Sequence, residues 1–147
     1  MGTWIAKRVA LAACAGLLLA ACSRTPPETA LRGQVAALQE AVEAREPGAI
    51  RRLLSEDFIG PGGMDRERAV RTARLAFLRH RQVGATVAGP LQVALRERDA
   101  TVSFEVALTG GSGGLLPEVA RLYSVETGWR LEDGDWRLLS ASWEPRL

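Results

Sequence analysis

The chain has 147 residues, of which 47% are hydrophobic, with 19 basic and 17 acidic side chains and a net charge of +2. That length suits one ordinary domain. Near-balanced charge excludes the strongly basic make-up of a nucleic-acid binder.

Lys7 and Arg8 precede an apolar run from Val9 to Ala21. About thirteen residues rising 1.5 Å each reach roughly 20 Å, short of a hydrocarbon core of about 30 Å. The run therefore reads as the apolar region of a secretory signal, not as a spanning helix. It ends in Leu19-Ala20-Ala21-Cys22, which resembles the lipobox of bacterial lipoproteins. The resemblance implies a signal peptide over residues 1–21, acylation of Cys22, and attachment to a membrane through that lipid. Leu11-Ala12-Ala13-Cys14 repeats the pattern but leaves too short an apolar region before it. Ser23 follows the cysteine where an aspartate would imply inner-membrane retention, so the resemblance implies the periplasmic face of the outer membrane. Loss of Lys7 and Arg8 lowers the basic count from 19 to 17, equal to the acidic count, and leaves a neutral chain. Cys22 is then its only cysteine, so no internal disulfide forms. One histidine and one lipidated cysteine cannot build a zinc site, and neither a metal nor another cofactor is expected.

Residues 22–27, the cysteine and an extended tether around Pro26-Pro27, lead into a single domain over residues 28–147. From Glu28 to Glu46, Leu31, Val35, Leu38 and Val42 form a narrow apolar helical stripe. Glu46-Pro47-Gly48 breaks that helix, and Pro47 suits the first position of the next. A short helix then spans "GAIRRLLSED", with Ile50, Leu53 and Leu54 inward, and "DFIGPGGM" reads as a loop. Asp65 is the expected N-cap of a third helix running to about Arg81. With Arg66 at zero, Val70, Ala73, Ala76 and Phe77 occupy about 280° to 40°, and Arg68, Arg71, Arg74, Arg79 and Arg81 occupy about 60° to 220°. That cationic outer face reads first as a solvated surface. Its other possible partners are lipid head groups, an acidic partner or a polysaccharide.

The period then changes to two. Val83 to Leu95 predicts a strand interrupted at Gly89-Pro90, and Ala100 to Leu108 alternates, with Val102, Phe104, Val106 and Leu108 on one side. "TGGSGGLLPE" reads as a flexible connection; its glycines lack the Lys-Ser/Thr of a phosphate loop. Val119 to Leu131 predicts a strand bulged at Thr127-Gly128. Asp133-Gly134 is a hairpin turn, and Trp136 to Trp143 is the returning strand. Helices first and strands afterwards give an α+β domain, with helices packed on one face of a curved antiparallel sheet. This order, with "LLSEDF" and "GWRLEDGDWRLLSASW", resembles the nuclear transport factor 2-like (SnoaL-like) superfamily. The resemblance implies a cone-shaped domain around a pocket, often dimeric through its sheet. Its members range from isomerases and dehydratases to non-catalytic modules.

An isomerase of this kind needs a carboxylate base and a neutral oxyanion donor in an apolar pocket. All five aspartates of the domain, Asp57, Asp65, Asp99, Asp133 and Asp135, are expected at helix ends or turns and none inside a strand. The strand-borne carboxylates are Glu105 and Glu126, and Arg121 is a cross-strand partner for either. Tyr123 is the only tyrosine, and His80 the only histidine, at the end of the arginine-rich helix. Trp129, Trp136 and Trp143 are expected in the core or on the dimer face of the sheet. The preferred reading is a lipid-anchored, non-catalytic domain that binds a small apolar ligand or a protein partner. A hydrolyase or isomerase using Glu105, Tyr123, Glu126 or His80 is the alternative. The interior is expected to be apolar, with at most one or two buried ionisable groups.

Overall fold

The computed structural model describes residues 25–114 and 119–146. The signal region, Cys14, Cys22 and Ser23 lie outside the described residues. Helix α1, Pro27–Glu43, starts on a proline, whose missing N–H would have no partner in a first turn. Leu31 and Val35 are buried with Ala41, while Leu38 and Val42 are half-buried beside them. The helix stops before Arg45, which takes a positive φ of 55°. Pro47 opens α2, Pro47–Leu53.

The next segment departs from the sequence reading. Leu54–Gly60 is a strand, β1, instead of a helix end and a loop. Leu54 and Phe58 lie four residues apart, a spacing that fits a helical stripe and a strand face equally well. Tertiary pairing decides: β1 lies parallel to a later strand and places Asp57 inside the sheet, contrary to the expectation that no aspartate sits in a strand. A 3-10 turn, Pro61–Gly63, returns the chain into β2, Met64–Asp65, against β1. Asp65 Oδ1 accepts the Arg68 N–H at 2.8 Å and caps α3, Arg66–Arg79. The inward face of α3 carries Ala69, Val70, Ala73 and Phe77; Ala76, expected inside, is exposed.

The remaining strands are β3 (Gln82–Leu95), β4 (Asp99–Gly111), β5 (Val119–Glu132) and β6 (Asp135–Pro145). Together the six form one sheet in the order β2-β1-β6-β5-β4-β3. It is mixed, because β1 runs parallel to β6 while the other pairs are antiparallel. Asp133 and Gly134 both take positive φ, 51° and 88°, the signature of a two-residue type I′ hairpin. β3 bulges between Ala88 and Gln92, around the predicted Gly89-Pro90 break. The bulge expected in β5 lies in β6, where Leu139 is the extra residue between Leu138 and Ser140. Gly128 stays in register, and a Cβ there would meet Ser140 Oγ, so a larger residue needs the serine side chain to turn aside.

Strand alternation sorts the side chains onto two faces. The inner face, toward the helices, holds Val93, Val102, Trp129, Trp136 and Leu138, closed by Leu31, Ile50 and Phe58. The core of the described residues lies between Leu31 and Leu138. Ser55 and Thr127 are the only buried polar side chains among the described residues. Thr127 Oγ1 donates to the Val102 carbonyl and accepts from Trp129 Nε1, each at 2.9 Å. Trp136 Nε1 donates to the Pro27 carbonyl at 3.1 Å and ties β6 to the start of α1. No ionisable side chain is buried among the described residues, in keeping with the apolar interior read from the sequence.

Candidate functional site

Helix α1 packs chiefly on β3, and α3 on α2 and β1, so the helices leave part of the inner face uncovered. That part lies toward the end of β4 and the start of β5. Phe104 faces Val125, Val106 faces Tyr123, and Val125 faces Trp143. Burial falls off along it: Val106 is 9% exposed, Leu108 37% and Trp143 45%. Trp143 thus lies outside the core, unlike the buried Trp129 and Trp136. Tyr123 stands within this surface, and Arg121, opposite Leu108, stands at its rim. Arg121 has no ion-pair partner among the described residues; it was expected to pair with Glu105 or Glu126 and lies on the other face.

The four chemistry-bearing residues do not come together. Glu105 and Glu126 face away from the helices, opposite Ser124 and Ser103, and Glu105 pairs with Arg146 at 3.0 Å. Tyr123 faces inward. The His80 ring lies over Gly110 of β4, where an added Cβ would come within 3.2 Å of Nδ1. Gly110 is four residues along the strand from Val106, the partner of Tyr123, or about 13 Å. A general base must lie within hydrogen-bond reach of the group it serves. His80 and Tyr123 fail that test with each other, and the two glutamates are on the wrong face. Among the described residues no three His, Cys, Asp or Glu side chains gather as a metal site, and no helix is long and apolar enough to cross a membrane.

One polar constellation escaped the sequence reading. Buried Ser55 on β1 donates to Glu132 Oε1 at 2.6 Å and accepts from Arg130 Nη2 at 3.1 Å. Arg130 also reaches Asp57 Oδ2 at 2.7 Å and Glu132 Oε1 at 2.5 Å. The Ser55 hydroxyl, then Arg130, hold the Glu132 carboxyl below the ordinary glutamate range, while burial and Asp57 oppose them. Bonds to Asp57 and then Glu132 hold Arg130 more firmly charged than an ordinary arginine. A serine nucleophile needs a base that takes its proton; a carboxylate stabilised as the anion is a poor one. The cluster is a clamp that ties β1 to β5 across β6. Its signal was present in the sequence as Ser-x-Asp and Arg-x-Glu, two pairs at strand spacing.

On the outer face a shallow groove of about 310 Å³ runs past Ala94, Thr101, Gly128 and Leu139, with Arg96 and Asp99 at one end. None of the four candidate catalytic residues lines it.

The chain matches no family model and no curated protein sequence. Solved structures do resemble it. A candidate dehydratase of the NTF2-like family from Streptomyces avermitilis superposes with a TM-score of 0.69 at 18% identity, over 83% of this chain and 99% of that one. An NTF2-like protein from Cytophaga hutchinsonii gives 0.65 at 16% identity, over 83% and 100%. Bd1075 of Bdellovibrio bacteriovorus gives 0.69 at 9% identity over 79% of this chain, which spans only 40% of that protein. Three helices on a curved, mixed six-stranded sheet give this domain the fold of the nuclear transport factor 2-like proteins.

Proposed function

We propose that the protein is an envelope lipoprotein, held at the periplasmic face of the outer membrane by acyl chains on Cys22, whose domain binds a small apolar ligand without catalysis. The observation that carries the binding role is the uncovered inner face. Phe104, Val106, Val125 and Trp143 supply apolar walls, while Tyr123 and Arg121 supply the few polar groups that fix a ligand's orientation. Scaffolds of this fold carry both binding and catalytic members, so the site decides and not the fold. Hydrolyase or isomerase chemistry is disfavoured because Glu105 and Glu126 face the opposite side from Tyr123. A second copy pairing through the outer face is compatible with its small side chains, Thr101, Ser103, Gly128 and Ser142.

The binding role is tested by titrating the protein with N-phenyl-1-naphthylamine, a neutral apolar dye. Saturable binding that weakens several-fold in Trp143→Ala is expected, since the indole is half-exposed and its loss leaves the core intact. No saturable binding, or equal binding by a folded Trp143→Ala protein, refutes the assignment.

A further inference from the structure

Helix α3 has an outer face that the fold does not use. Its inward residues, Ala69, Val70, Ala73 and Phe77, meet α2 and β1. On the opposite side Leu75 is 51% and Leu78 77% exposed. At 100° per residue from Arg66, Leu78 falls near 120° and Leu75 near 180°, inside the arc from about 80° to 220° that holds Arg68, Arg71, Arg74 and Arg79; Arg81 lies just beyond the helix end. Arg68, Arg71, Arg74, Arg79 and Arg81 are all exposed, and none has a side-chain partner among the described residues. The carboxylates nearest this helix are taken elsewhere: Glu67 and Glu56 pair with Arg51 and Arg66.

We propose that this face docks on an anionic lipid surface, with Leu75 and Leu78 entering the headgroup layer and the guanidinium groups of Arg68, Arg71, Arg74 and Arg79 meeting the phosphates. An anionic lipid surface meets both needs of this face, charge for the unpaired cations and an apolar layer for the exposed leucines. A nucleic acid would satisfy the arginines but offer the leucines nothing to bury against. A second copy of the same face would bring eight guanidinium groups together without counter-charge. An anionic surface therefore attracts the α3 side. The docking does not depend on the ligand role or on acylation, because residues 25–147 contain no cysteine.

The experiment is vesicle flotation with residues 25–147, comparing phosphatidylglycerol-containing vesicles with pure phosphatidylcholine. Binding to the anionic vesicles only, weakened by added salt, is expected. Arg71→Gln/Arg74→Gln lowers that binding about 25-fold, at roughly five-fold per cation. Leu75→Ser/Leu78→Ser lowers it several-fold while its circular dichroism melt matches wild type, since both side chains are exposed. Equal partitioning to both vesicle types, or unchanged binding by either folded double variant, overturns the proposal. So does tighter binding to polyglutamate or duplex DNA than to anionic vesicles, which would reassign the face to an acidic protein or a nucleic acid.

Discussion

Replacing Ser55 with alanine tests the clamp between β1 and β5. The hydroxyl is 1% exposed and bonds to two charged groups, Glu132 and Arg130, and to the Asp57 N–H at 3.2 Å. A hydrogen bond to a charged partner contributes about 1.5–3 kcal/mol, so Ser55→Ala should cost that much at pH 7. At roughly 4 °C per kcal/mol, the melting temperature should fall by about 6–12 °C. The pH dependence separates the clamp from simple packing. The folded-state pKa of Glu132 lies below its ordinary 4.5, with the Ser55 bond as the largest cause. Its contribution is therefore full above pH 4.5 and is lost as pH falls through the depressed folded value. The gap between wild type and variant should narrow over that interval. Thermal melts at pH 7 and at about pH 3 measure it. A gap of the same size at both, or none at pH 7, refutes the reasoning. Glu132→Gln, which keeps an acceptor without the charge, should flatten the pH dependence.

The other expectations concern the core and the anchor. Leu31→Ala should cost about 2–5 kcal/mol in chemical denaturation, because Leu31 is fully buried. Phe104→Ala should cost less, about 1–3 kcal/mol, because its ring is only half-buried at the uncovered part of the inner face. Thr127→Val leaves the Trp129 N–H and the Val102 carbonyl short of a partner, for a loss of about 1–3 kcal/mol in the same assay. Cys22→Ala should abolish labelling by a palmitate analogue and release the protein from the membrane fraction; equal labelling refutes the anchor.

Elements with a single period were legible in the sequence. The stripe Leu31-Val35-Leu38-Val42, the Asp65 cap, the alternation Val102 to Leu108 and the Asp133-Gly134 turn each had one physical reading, and each is found. β1 was not legible, since Leu54 and Phe58 suit either period and its partner β6 lies some 80 residues away in sequence. Missing β1 hid the parallel pair, the strand position of Asp57 and the whole Ser55 clamp. The bulge was misplaced for a related reason. Thr127-Gly128 marks a close approach between strands, and glycine relieves that approach without saying which strand takes the extra residue. The uncovered inner face was legible only as an apolar pocket, because exposure of Trp143 depends on where three helices end.

Strand parity decides which chemistry the inner face can hold. Residues 102, 104 and 106 on β4 and 123, 125 and 127 on β5 share the inner face, so Glu105 and Glu126 must share the outer one. Moving Glu105 or Glu126 inward needs a one-residue slip of the strand that carries it. In β5 that slip would put Glu126 where Thr127 and its two bonds now sit, and Gly128 in place of Trp129. Burying an unpaired carboxylate costs several kcal/mol, and losing the indole removes about 3–5 kcal/mol of packing. Both penalties rival the whole stability of a domain this size. The buried Thr127–Trp129 pair therefore holds the register against any arrangement that would place a carboxylate beside Tyr123.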